Sequence, residues 1–102
     1  MSCTALMNAS VIEEGWAALR AGDAEAARDA FERALEQGES GVAREGLGQA
    51  LYLQREYTRA IAQQERAYAA YLKAGEAFAA SRAARTLAWI RPWMALRGST
   101  TV

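Results

Sequence analysis

Apolar residues along this chain return at three- and four-residue intervals in five separate stretches, which is the spacing of helices packed on one side. In the second stretch Ala27, Phe31, Ala34 and Leu35 draw a single stripe; in the third, Leu47, Ala50 and Leu51 turn inward. Ala60, Ile61, Ala67, Tyr68 and Tyr71 make the buried and half-buried face of the fourth, and Ala80, Ala83, Leu87, Ile90 and Met94 that of the fifth. Runs of β-branched residues are missing, so strands are not expected. Alanine supplies much of the 52% hydrophobic share, and alanine favours helix because it loses no side-chain entropy.

The helix ends are marked in most places. Ser10 and Glu13 spell a capping box that starts helix one near Val11, with Thr4 as an earlier possible start. Gly22 closes that helix, Asp23 caps a second one running to about Gln37, and Gly38 stops it. The third helix spans about Gly41 to Gln54 and is followed by Arg55 and Glu56, a turn without glycine. The fourth runs from Tyr57 to about Ala74 and ends at Gly75. The fifth covers about Glu76 to Arg97. Pro92 lies inside it and predicts a kink or break near Ala88 to Arg91, because proline removes a backbone donor and clashes with the carbonyl four residues back. Residues 1–9 are expected as a flexible N-terminus, 10–97 as one all-α domain and 98–102 as a tail after Gly98.

Two of these helix pairs are copies of one another. Gly15, Ala27 and Ala34 recur 33 residues later as Gly48, Ala60 and Ala67. A period of this size marks a stacked helical repeat, an architecture that ordinarily offers a binding surface rather than a catalytic centre.

Charge and chemistry narrow the function further. The formal net charge is zero, which argues against a general nucleic-acid binder. From Met1 to Glu76 there are eight basic and twelve acidic residues, whereas the remainder holds Arg82, Arg85, Arg91 and Arg97 and no acid. The chain has no histidine, one cysteine (Cys3) and no glycine-rich phosphate loop, so neither an enzyme nor a cofactor is expected. A metal would have to rest on carboxylates such as Glu13, Glu14, Glu32, Glu36 and Glu39, which on helix surfaces are ordinarily solvated; no metal site is expected. A lone cysteine forms no internal disulfide and fits a reduced, cytoplasmic setting. The N-terminus lacks the pattern of a signal peptide, and no stretch approaches the roughly 20 apolar residues of a membrane span.

Gly15, Ala27, Phe31 and Ala34, with Gly48, Ala60 and Ala67, resemble the tetratricopeptide repeat, a helix-turn-helix of about 34 residues. The stretches GDAEAARDAFERALE and REYTRAIAQQERAY are similar to second helices of that family, and WMALRGST echoes WAALRAGD as the opening of a third repeat. Repeat one then covers about 8–40, repeat two about 41–74, and a partial third 76–97. Glu14 stands where the family prefers leucine, Gln64 where it prefers an aromatic, and no proline closes either copy. The chain is also similar to the N-terminal helical-repeat segments of actinobacterial LuxR-type transcriptional regulators.

The resemblance implies a concave face lined by the first helix of each repeat. Carried onto this chain, that face holds Ile12, Trp16, Leu19 and Arg20, then Glu45, Gln49, Tyr52 and Leu53, with Arg85 and Ala88 following. An aromatic and aliphatic groove rimmed by Arg20, Arg85 and Glu45 would take an apolar peptide or helix from a protein partner. Trp16 and Tyr52 alternatively pack on neighbouring helices. The lysine and asparagine clamp that some family members use for chaperone C-termini is missing, since Ile12 and Trp16 occupy its first positions. Leu87, Trp89, Ile90, Trp93 and Met94 are expected as an open face through which the chain self-associates, as a dimer. The competing reading has Arg82, Arg85, Trp89 and Trp93 holding nucleic acid, arginines on phosphate and tryptophans on bases.

Overall fold

The computed structural model describes the backbone of residues 2–100 and the side chains of residues 9–91. It is all-α among those residues. Five helices follow in order, α1 (Ser2–Arg20), α2 (Ala24–Glu36), α3 (Gly41–Leu53), α4 (Tyr57–Lys73) and α5 (Ala77–Thr100), each packed on its neighbour in the chain. A smaller contact joins α1 to α3.

Three of the connections are one device used repeatedly. At the end of α1 the Gly22 amide donates to the Leu19 carbonyl and the Asp23 amide to that of Ala18; Arg55 and Glu56 repeat this after α3, as do Gly75 and Glu76 after α4. Such a pairing satisfies helix-end carbonyls and requires a left-handed residue at the turn. Gly22 and Gly75 take φ 78° without steric cost, while Arg55 is held at φ 64°. The Asp23 carboxylate accepts from the Ala26 amide and the Ser40 hydroxyl from the Ala43 amide, so α2 and α3 are capped by side chains, whereas Glu56 gives α4 no such bond.

Close approach of helices rests on residues without bulk. The Phe31 ring is wholly buried between Gly15 of α1 and Gly46 of α3, and a Cβ at those glycines would lie 2.7 and 2.2 Å from its tip. In the second copy Gly48 meets Gln64 in the same manner, and a Cβ there would lie 2.8 Å from the Gln64 Nε2. Ala27, Ala34, Ala43, Leu47, Ala50, Leu51 and Ala60 complete the core around Phe31, and a second cluster of Ala67, Tyr71, Ala80 and Ala83 joins α4 to α5.

The ends of the first and fifth helices differ from the sequence expectation. Helix α1 begins at Ser2, so Ser10 lies in its interior and caps nothing; Leu6, Met7 and the alanines upstream are strong helix formers that carry the helix past the cap signal. Helix α5 is continuous across Pro92 and past Gly98 to Thr100. The proline removes the donor that would serve the Ala88 carbonyl, and Ala88 is exposed, so water can serve that carbonyl instead. Tyr68 is at the exposed edge of α4 rather than on its inner face.

The Arg55 turn gives a direct test. Arg55→Gly should raise unfolding stability by about 0.5–1 kcal/mol in a urea titration, because glycine relieves the left-handed strain by more than it adds unfolded-state entropy. A loss of stability would show that the Arg55 side chain matters more than its backbone.

Candidate functional site

An apolar groove crosses the first, third and fifth helices. Leu19 comes from α1, Gly48, Gln49, Tyr52 and Leu53 from α3, and Thr86, Trp89 and Ile90 from α5. Gln64 of α4 lies on its floor beside Gly48. The groove encloses about 340 Å³, is open on one side, and among its described lining residues carries no ionisable group other than the Tyr52 phenol. Its aromatic wall is assembled edge to face: the Tyr52 ring meets Tyr57 at 5.3 Å and 62°, and Trp89 at 6.5 Å and 71°. Trp89 is 62% exposed.

What holds α5 against this wall is a buried carboxylate. Glu45 is only 3% exposed. The Arg82 guanidinium grips it with two bonds, Nε to Oε2 at 2.9 Å and Nη2 to Oε1 at 2.8 Å, and the Tyr71 hydroxyl donates to Oε1 at 2.7 Å. The guanidinium also lies 5.8 Å from the centre of the Tyr71 ring. Burial alone would raise the Glu45 carboxyl, but the bonds from Arg82 and Tyr71 and the arginine charge hold it below the usual carboxylate range. Burial and the adjacent carboxylate push the Tyr71 hydroxyl up, and the bond to Glu45 raises Arg82 further. The cluster joins α3, α4 and α5 in one place.

The sequence-derived site residues are divided by this geometry. Leu19, Gln49, Tyr52 and Leu53 lie together in the groove. Ile12 and Trp16 pack on the core, Trp16 edge-on against Phe31 at 5.2 Å, so its ring serves packing. Glu45 is no groove rim: its side chain points between helices, where Arg82 compensates the charge. Arg20 faces Glu13 at 3.9 Å on the exposed side of α1, and Arg85 and Ala88 are exposed without lining the groove. Leu87 and Ile90 do not form an open face: both are nearly buried, Ile90 along the groove beside the α3 residues, while Ala80 and Ala83 of the same stripe pack on α4. Trp89 is exposed, and the Trp93 and Met94 side chains lie outside the described residues.

Two groove residues escaped sequence reasoning. Thr86, whose hydroxyl donates to the Arg82 carbonyl, carries no signal in the pattern. Gln64 does carry one: it stands 33 residues after Phe31, and an amide at a core aromatic's place was the mark to follow. Glu14, Glu32 and Glu39 face Arg33, Arg28 and Arg44 respectively rather than one another, and among the described residues no group of three potential metal ligands gathers. No helix among them is long and apolar enough to cross a membrane. Comparison with family models, with curated proteins and with solved structures finds no match to this chain.

Removing the cation of the buried cluster tests its role. Arg82→Met should cost about 2 kcal/mol, below the full cost of breaking a buried pair because Arg82 keeps one edge in water. Glu45 has a lowered folded pKa, so its share of stability is present above the unfolded value of about 4.3 and is lost as pH falls through the folded value. Glu45→Gln should therefore flatten the acid limb of a stability-against-pH curve, and an unchanged limb would contradict the assignment.

Proposed function

We propose that this chain is a non-catalytic interaction module of tetratricopeptide type that binds a segment of a protein partner, peptide or helix, in the groove across α1, α3 and α5. The observation that carries this reading is the composition of the groove: Leu19, Tyr52, Leu53, Trp89 and Ile90 converge there with no charged side chain among them. Apolar, aromatic-lined concavities with a few polar groups suit the anchors of peptide ligands. Through the resemblance alone, the reading extends to a sensor or docking segment within a larger transcriptional regulator.

The nucleic-acid alternative is less well supported by the same residues. Arg82 is committed to Glu45 and Arg91 pairs with Glu65, which leaves Arg85 as the exposed cation of the described part of α5 without a carboxylate partner. Trp89 is set edge-on to Tyr52 in a groove whose described lining carries no charged side chain, and Arg85, one helical turn before it, is a single cation, too few to track a phosphate backbone.

Peptides selected by display on the chain, with binding measured by calorimetry, test the proposal. Trp89→Ala should weaken the selected peptide by about 2 kcal/mol with the helical circular dichroism unchanged. Affinity should change little between about 0.05 and 0.2 M salt, whereas phosphate contacts would weaken by orders of magnitude over that range. An unaltered affinity in the folded variant would remove the groove from the account.

A further inference from the structure

The start of α3 lies directly on the end of α4. A Cβ at Gly41 would come within 2.6 Å of the Tyr71 ring, so a residue without a side chain is needed for this approach. Beside that contact α4 presents Arg66, Ala69, Ala70 and Lys73, spaced as one face of a helix. The two alanines leave a floor without bulk between the arginine and the lysine. Arg44 of α3 and Glu39 of the preceding loop complete an open cleft of about 380 Å³, which shares no lining residue with the groove across α1, α3 and α5.

This cleft is cationic in a chain whose formal net charge is zero. Three cations against one carboxylate leave two positive charges unbalanced. Other surface arginines among the described residues face carboxylates of their own, as Arg28, Arg33 and Arg91 do. Arg66 and Lys73 are both exposed, neither is bonded to a described residue, and Glu39 is the one acid in the described lining. Gathering like charges around one depression is unfavourable in the free protein and becomes favourable when an anion enters.

Glu39 shows what kind of group the cleft grips. Its two carboxylate oxygens accept from the Arg44 fork, Oε2 from Nε and Oε1 from Nη2, at 3.0 Å each. Nη1 of the same arginine donates to Gln63 Oε1 at 2.9 Å, which sets the plane of a guanidinium whose side chain is only 18% exposed. The Arg44 bonds keep the Glu39 carboxyl below its ordinary range, and the Arg66 charge adds to the effect. An oriented fork of this kind matches the oxygens of a phosphate as well as those of a carboxylate.

From this geometry we infer that the cleft of Arg44, Arg66 and Lys73 binds a phosphate monoester, and that Glu39 occupies the arginine fork until the ligand's oxygens displace it. A monoester carries about −1.5 to −2 charges at neutral pH and three acceptor oxygens, one for each cationic head. A carboxylate ligand would only exchange one Glu39 for another. A nucleobase finds no aromatic ring among the described lining residues to stack on, so the recognised group is the phosphoryl end itself. Its carrier is a phosphorylated side chain of a protein segment or a small phosphate ester. The site is independent of the groove proposed above, and neither depends on the other.

Titration of the isotope-labelled chain with N-acetyl-phosphoserine amide, followed by amide chemical shifts, tests this. Arg44, Ala69 and Ala70 should shift in a saturable way, and N-acetylserine amide should move none of them. Arg66→Gln changes an exposed side chain; it should keep the melting temperature and weaken binding about tenfold. Glu39→Gln should tighten binding about threefold by freeing the fork. Arg85→Gln removes an equal charge outside the cleft and should leave the affinity unchanged. A peptide with phosphoserine at its centre and alanine elsewhere distinguishes the carriers: tighter binding than the capped amino acid assigns the ester to a protein segment, equal binding to a small molecule. No saturable shift at the three residues, or equal weakening by Arg66→Gln and Arg85→Gln, would overturn the site and leave the groove function standing. A Glu39→Gln variant that binds no more tightly would overturn the displacement of Glu39.

Discussion

A carboxylate withdrawn from water must take a counter-charge with it, and the structure around α5 follows from how Glu45 meets that demand. Its partners come from two other helices, Tyr71 of α4 and Arg82 of α5, so that one ionic centre ties three elements together. A buried ion pair adds little net stability compared with an apolar replacement, yet breaking it is expensive because a lone charge is left inside. Its effect is therefore on geometry: Arg82 has one place to be, and with it the register of α5 against α3. Trp89 and Ile90, two turns further along α5, arrive opposite Tyr52 and Leu53 as a consequence.

The first copy reaches a similar layout without charge. Phe31 fills the space between Gly15 and Gly46, and Trp16 closes its edge. Copy two keeps the glycine contact, Gly48 on Gln64, and exchanges the apolar side chains for Glu45, Gln49 and Gln64. The polar exchange falls on the side that faces α5 and the groove. A repeat that only had to stack would have no physical reason to bury an amide with an unbonded acceptor.

These relations were visible in the sequence to different depths. Helix stripes, the glycine turns at Gly22 and Gly75, the Asp23 cap and the close approach at Gly48 depend on local conformation and spacing, and each was readable residue by residue. Ser10, Pro92 and Gly98 misled because a local stop or start signal yields to helix formers on both sides. Leu87 and Ile90 were read as open because the pattern of a helix shows a stripe but not which neighbour covers it. The repeat resemblance puts Glu45 on the concave face by its position alone; Arg82, 37 residues away, and Tyr71 are what make its burial possible. Tyr52, Leu53 and Leu19 were found as groove residues, while Gln64 required the two copies to be compared position by position.

The account depends on α5 being held in register by Glu45 and Arg82, with the groove as the result. Ring-to-ring nuclear Overhauser contacts between Tyr52 and Trp89, measured for the wild type and for Arg82→Met, test that dependence most directly. They should be present in the wild type, where the rings stand 6.5 Å apart, and weaken markedly in the variant while contacts between Trp16 and Phe31 persist. Contacts of full strength in the variant, or none in the wild type, would contradict it.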